Sequence, residues 1–285
     1  METEQQGAGR REKRKGREKG KWRTVARGLA ILLALFFAWL FLVWPPPLWY
    51  RYNFPRETSF MAMRRGQNPA AALHRKYSPV PLGQISPAMR RTALIGEDSR
   101  FYSHHGVDFI EMRHAMGYVR DSFAWTNARD RGDLWRAITS STTHPHTVRG
   151  ASTITQQLAK NLYLSPTRNP LRKLKEAITA WRLELWLPKD RILELYLNTV
   201  EMGDEIWGVE AGGQTYFRTA ARNLSAEQAA TLAALLPFPR SSNPYYRPGR
   251  MLWRKNLIME RLMGKPVVVP VDSGGPVVDS VLNQP

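Results

Sequence analysis

The chain's 285 residues, 43% of them apolar, suffice for one domain of about 200 residues with its own core plus an appendage, and exclude a globally disordered polypeptide. Lys and Arg number 42 against 24 Asp and Glu, a net charge of +18 that calls for an anionic partner: nucleic acid, phospholipid head groups or a phosphorylated substrate. The absence of Cys excludes disulfides, thiolate metal sites and Cys nucleophiles together.

Residues 10–27 hold ten Lys or Arg, and the 17 residues that follow, GLAILLALFFAWLFLVW over 28–44, carry no charge. This pattern predicts a single transmembrane helix, at the short end of the spanning range, which Val25 and Ala26 can extend. Trp39, Trp44, Trp49 and Tyr50 suit its outer interface, and Pro45-Pro46-Pro47 stops it. A cleaved signal peptide is the alternative, but no small-x-small site precedes the prolines. The basic flank places residues 1–27 in the cytoplasm and 45–285 outside it, which removes nucleic acid from the candidate partners. The first 27 residues are net +6, leaving +12 on the rest, so the outer part is itself basic, which suits an anionic membrane surface and equally fits a generally basic solvated surface.

The soluble part reads as a succession of helices. Ser86-Pro87 supplies a cap and first-turn proline for a helix running toward Gly96. Asn169-Pro170 starts a longer one, whose Leu171, Leu174, Ile178, Trp181 and Leu185 recur at steps of three and four and predict a core stripe. Pro188 opens a helix through Asn198. Ser225 with Gln228 fits a capping box ahead of an Ala/Leu run that ends at Pro237, and Met251 to Met263 closes the helical part. The clearest strand signal is Val267 to Val271, interrupted by Pro270, so the expected fold is mainly α. Residues 121–149 lack periodicity and read as a long loop with a short helix inside, mobile or functional; SGGPVVDSVLNQP reads as a frayed end.

Three clusters carry chemistry. EDSRFYSHHGVD, Glu97 to Asp108, packs acids, a base and imidazoles where a helix gives way to a loop. Asp98 and His105 are equally readable as loop ties, and no ligand spacing supports His104 and His105 as zinc ligands. GASTITQQLAKN, Gly150 to Asn161, concentrates hydroxyls, amides and Lys160 at a helix start, where unpaired N–H groups favour an anion, although a well-capped amphipathic helix explains the same residues. Around Arg168 to Glu176, the helical wheel sets Glu176 opposite the Leu171/Leu174/Ile178/Trp181/Leu185 stripe, facing water or a cleft; an exposed Glu paired with Arg172 or Lys173 is the plainer reading.

In order and type these stretches, together with RKLKEA and KDRILELYLNTVEMGDEIWGVEAGGQTYF, resemble the motifs of peptidoglycan glycosyltransferases, most nearly the monofunctional biosynthetic type. The resemblance covers about residues 75 to 262. No Ser is followed three residues later by Lys, so a transpeptidase nucleophile motif is missing. Between Asp108 and Gly150 the chain exceeds the family pattern by about twenty residues, in the loop-like stretch.

The resemblance implies a mainly α, lysozyme-like glycosyltransferase domain at 45–265, behind a cytoplasmic tail at 1–27 and a membrane helix at 28–44, and ahead of a C-terminal tail at 266–285. It implies an inner-membrane protein with a periplasmic catalytic domain that joins lipid II disaccharides by β-1,4 bonds and releases undecaprenyl pyrophosphate. By the same resemblance Glu97 is the general base and Glu176 the second acid, orienting cations or a divalent metal, Mg or Mn. Lys160 and Arg168 hold the donor pyrophosphate, and Arg100 meets the acceptor's. Ser152, Gln156 and Gln157 bind substrate or shape the cleft, Asn198 supports it, and Asp98 stands behind them. The expected partners are lipid II, the growing glycan and the membrane, with other wall-synthesis proteins beside them. Two rivals stand: a glycan-cleaving enzyme of the same kind of fold, which has no use for Lys160, Arg168 and Arg172, and a silent membrane scaffold, against which the two glutamates speak.

Overall fold

The computed structural model describes residues 26–39, 41–115, 126–132, 152–164, 170–265, 268–269 and 277–278. The chain divides into two compact units, Met1–Trp44 and Pro45–Pro285.

In the first unit, residues 26–39 form helix α1, and residue 41 is helical too. The expected helix over 28–44 is therefore cut short: 42–44 are not helical, and among the described residues no helix is long and apolar enough to cross a membrane. The proline run accounts for the early stop, because the residue before a proline is driven out of the helical region and Trp44 precedes Pro45. Leu29, Ile31, Leu32, Leu35 and Phe37 are all exposed on α1.

The second unit is mainly helical, as expected. Its helices are α2 (Ser59–Gln67), α3 (Pro69–Ala72), α4 (Pro87–Glu97), α5 (Phe109–Ala115), α6 (128–132), α7 (Ile154–Tyr163), α8 (Pro170–Trp186), α9 (Lys189–Thr199), α10 (Gly208–Phe217), α11 (Ala226–Leu235) and α12 (Gly249–Leu262). The capping signals hold: the Ser86 hydroxyl accepts from the Met89 N–H at the head of α4, and Ser225 and Gln228 close a reciprocal box on α11. The Ala-rich α11 is buried from Ala229 to Leu235, and it packs against both α4 and α12. Helix α7 packs against α8 and α9 in the same continuous core, which contains Leu158, Leu183, Leu193 and Leu195 without exposure.

Strands are short: β1 (Lys76–Tyr77) pairs in parallel with β3 (Ile206–Trp207), which pairs antiparallel with β2 (Glu201–Gly203), in the order β1-β3-β2. Two or three residues give no alternation to read in advance. β4 (Val268–Val269) falls inside the expected Val267 to Val271 strand and pairs antiparallel with β5 (Val277–Val278), so part of the stretch read as a frayed end is strand. Behind β3, Gly208 has φ +81°, and a Cβ there would lie 2.4 Å from the Asn198 carbonyl oxygen. Only glycine lets α10 start so close to α9. Of 121–149, only 126–132 are described, including the short helix α6; the rest of that loop lies outside the described residues.

Helix α8 contradicts the expected core stripe. Leu171, Leu174, Trp181 and Leu185 are exposed, between 46% and 75%, and of the five only Ile178 is buried. The buried face is the opposite one: Glu176, Thr179, Ala180, Leu183 and Leu187. Periodicity marks two faces of a helix without telling which meets the core, and here the polar-centred face is inward.

Candidate active site

Helix α4 ends at Glu97, and Asp98 leaves the helical conformation (φ −163°, ψ 78°) while its N–H still bonds the Leu94 carbonyl. The Asp98 carboxylate accepts from the Ile154 N–H at 2.9 Å, one of the donors that the first turn of α7 cannot pair within its own helix. It also faces His104 Nε2 at 3.0 Å. The Thr153 hydroxyl donates to the Gly106 carbonyl at 2.6 Å, and Gly106, at φ +88°, sits against the α8 backbone at Ala180. These ties fix the head of α7 to the loop after α4. One turn into α7, Gln157 thereby comes level with Glu97.

The head of α7 is thus closed as an anion site. Gln156, expected to bind substrate or shape the cleft, is buried and caps its own helix: its side-chain oxygen accepts from the Thr153 N–H, and its own N–H donates to the Thr153 hydroxyl. Ser, Thr and Gln at a helix start serve capping as readily as binding.

Glu97 is held on both oxygens. The Gln157 amide donates to Oε2 at 2.8 Å, and Arg254 Nη2, from α12, donates to Oε1 at 2.6 Å and to the Gly96 carbonyl at 2.6 Å. Tyr196 on α9 fixes the amide by donating to Gln157 Oε1 at 3.1 Å. Burial raises the Glu97 carboxyl above the ordinary range, against the lowering influence of Arg254, Gln157 and Lys160. Its place at the carboxyl end of α4, where the helix dipole is negative, works in the same direction as burial.

Glu176 lies differently. It is 2% exposed, so it faces neither water nor an open cleft. Arg172 donates to Oε2 at 2.8 Å and Lys173 to Oε1, so the pairing with its helical neighbours is present, but inside the protein. Lys173 also donates to the Ser152 hydroxyl at 2.8 Å, which brings the expected Ser152 to this cluster. Lys160 joins from α7: burial lowers its ammonium, while the charges of Glu176 and Glu97 raise it and those of Lys173 and Arg172 lower it. One glutamate amid three cations leaves a positively charged patch beside Glu97, fit for a phosphorylated group.

That set of groups does not fit a resident divalent metal at Glu176. Both carboxylate oxygens are already taken by cationic donors, and a further dication would meet Lys160, Arg172 and Lys173. The cluster of Asp98, His104 and Asp108, whose polar atoms lie within 4.8 Å of one another, is likewise occupied. Asp98 holds Ile154 and His104, and Asp108 accepts from the N–H groups of Ile110 and Glu111 and from Arg100 Nε at 3.0 Å.

Arg100, expected to meet the acceptor pyrophosphate, is paired with Asp108 and stays partly exposed. Asn198 is buried and bridges strand-side and helix backbone, donating to the Val80 and Glu194 carbonyls and accepting from the Val80 N–H, which makes it a support. Arg168 lies outside the described residues. A cleft of about 320 Å³ opens beside Gln157 and Lys160, lined further by Phe60, Arg64, Phe238 and Arg240. Sequence reasoning missed Arg254 and Tyr196. The signal for Arg254 was a cation in line with Met251 and Ile258 at steps of three and four, on a face where those two are buried.

A family profile described as Transglycosylase matches residues 66–122 and 120–263. Its two segments meet where the 121–149 stretch begins. The chain is 37% identical over 247 residues to the biosynthetic peptidoglycan transglycosylase of Laribacter hongkongensis, covering 85% of this chain and 96% of the relative. It is 36% identical over 241 residues to the protein of that name from Methylobacillus flagellatus (83% and 94%), and 36% over 253 residues to that from Thiobacillus denitrificans (87% and 98%).

Proposed function

This chain belongs to the peptidoglycan transglycosylase family, and on that premise we propose that it polymerises the lipid II disaccharide, forming β-1,4 bonds and releasing undecaprenyl pyrophosphate. The coarser activity is that of the family: it is a peptidoglycan glycosyltransferase of cell-wall synthesis. The observation that carries the finer reading is the juxtaposition of a doubly held carboxylate, Glu97, with the cationic cluster of Lys160, Arg172 and Lys173.

Glu97 takes the proton of the attacking GlcNAc 4-hydroxyl as that oxygen bonds to the anomeric carbon of the growing chain's MurNAc. An alcohol is too weak an acid to ionise first, so transfer accompanies attack. The α-linked pyrophosphate leaves from the opposite face, which makes the new bond β, and its charge is met by Lys160, with Arg168 in the same role. Glu176 fixes Arg172 and Lys173.

The membrane is part of the proposal, since the substrate is a lipid. The basic tail and the uncharged 28–44 segment support a single anchor with the domain on the periplasmic side. The exposed stripe of α8 supports it as well. The turn Pro47–Arg51, directly after that segment, packs on α8 and exposes Leu48 and Trp49, which with Trp181 and Leu185 gives apolar and aromatic surface suited to an interface.

The test is incubation of the purified full chain with lipid-linked disaccharide. Polymer together with free polyprenyl pyrophosphate is expected. Cleavage of preformed glycan without polymerisation would replace this reading with the hydrolytic one.

A further inference from the structure

Granting that Glu97 is the base, we infer that Arg254 is its positioning residue: bridging the Gly96 carbonyl and the Glu97 carboxylate, it fixes the carboxylate's orientation and holds it in the charged form that can accept a proton.

The geometry comes from helix docking. Arg254 lies three residues after Met251 and four before Ile258, and both of those are buried, so one face of α12 carries all three toward α4. A Cβ at Gly96 would lie 3.1 Å from Ile258 Cδ1 and 3.7 Å from Arg254 Nη2, so α12 is seated against the last turn of α4 where Gly96 stands. From there one guanidinium nitrogen reaches two acceptors that are consecutive in the chain. The Gly96 carbonyl belongs to the end of α4, where carbonyls lack helical partners, and Arg254 satisfies it. Gln157 secures the other carboxylate oxygen, and Tyr196 removes the freedom of that amide to flip. The carboxylate is thus gripped from α7 and α12, with lone pairs left for a hydroxyl.

Among the described residues, few charged or titratable groups face Glu97. Arg254 comes from α12, Lys160 from α7, the buried Tyr196 hydroxyl from α9, and Asp98 follows in the chain. Arg254 is the strongest of the influences that oppose burial, ahead of Gln157 and Lys160. Lys160 is shared with Glu176 and, in the proposed reaction, with pyrophosphate. Without Arg254 the carboxyl keeps its burial and its place at the negative helix end while losing the one cation bonded directly to it among the described residues, so it titrates higher and fewer molecules carry a competent base at neutral pH.

A strap that merely ties α12 to α4 would show the same contacts, so the test reads titration as well as rate. The full chain in detergent micelles is compared with Arg254→Met, which keeps the apolar stem, and Arg254→Lys, which keeps the charge. Turnover of lipid-linked disaccharide is followed across pH, and the Glu97 carboxyl is followed by carbon-13 NMR, assigned by its loss in Glu97→Gln. Arg254→Met is expected to lose about tenfold or more in turnover at neutral pH, with KM changed by less than about twofold, and to regain rate as pH rises. Its acid limb and its Glu97 resonance should both move to higher pH, and Arg254→Lys should move them back toward wild type. An equal loss at every pH with an unmoved Glu97 titration would reduce Arg254 to a strap, and undiminished turnover would remove it from the mechanism. The NMR titration reports on Arg254 even if the wild-type chain makes no polymer, a result that would strike the proposed reaction instead.

Discussion

Glu97, at the end of α4, and Glu176, within α8, share the charge of Lys160 on α7, yet they are held in opposite ways. Glu97 comes from the end of a helix, is gripped by groups reaching in from α7 and α12, and is pushed toward the neutral form by burial. Glu176 sits within a helix and is compensated locally, by Arg172 one turn before it and by Lys173. A carboxylate whose surroundings strain its charge is ready to take a proton, whereas one wrapped in cations is a fixed counterion that organises them. In the proposed reaction this difference favours Glu97 as the base and a supporting role for Glu176, and it gives the order of damage expected on mutation.

The largest effect belongs to Glu97→Gln, which keeps shape and hydrogen bonding but cannot accept a proton. Polymer formation should fall by on the order of a hundredfold to ten-thousandfold, measured from labelled lipid-linked disaccharide. Next comes Lys160→Ala, expected to cost on the order of a hundredfold in turnover through lost stabilisation of the leaving pyrophosphate. A loss in KM alone would mean that Lys160 binds the ground state and transition state equally. Glu176→Gln should be milder and leave a measurable residual rate, because an amide oxygen can still accept from Arg172 or Lys173. Its complete inactivation would erase the contrast between the two sites.

The smallest effect is in stability, and its sign differs between the glutamates. Because the folded-state carboxyl of Glu97 titrates above its ordinary value, its burden on the fold is absent below that ordinary value and grows as pH rises through the folded one. Glu97→Gln should therefore melt no lower than wild type at neutral pH, and the gap should close in acid. Glu176→Gln leaves Arg172, a mostly buried cation, without its charged partner, besides releasing the half-exposed Lys173, and should melt lower. Differential scanning at several pH values separates these outcomes.

Much of the helical frame was legible because caps are local chemistry: Ser86 before Pro87 and Ser225 before Gln228 act within four residues of themselves. The motif-bearing Glu97, Gln157 and Lys160 were legible for the same reason, as unusual residues at helix ends. The inward face of α8 was not, since its apolar residues form the outer stripe and its buried face is centred on a glutamate whose partners hide its cost. By the resemblance Gln156 was expected to bind substrate or shape the cleft, and it caps α7, since a capping box and a binding site draw on the same polar residues. Arg254 could not be paired from sequence: its carboxylate lies 157 residues away, and only the docking of α12 on α4 brings them together.

The central claim, that Glu97 and not Glu176 accepts the proton, is tested most directly by comparing single-turnover rates of Glu97→Gln and Glu176→Gln under saturating lipid-linked disaccharide, with affinity measured on the same preparations. Both variants should bind substrate much as wild type does, with no detectable transfer by Glu97→Gln and a residual rate for Glu176→Gln. Transfer by Glu97→Gln at or above the Glu176→Gln rate would contradict the account.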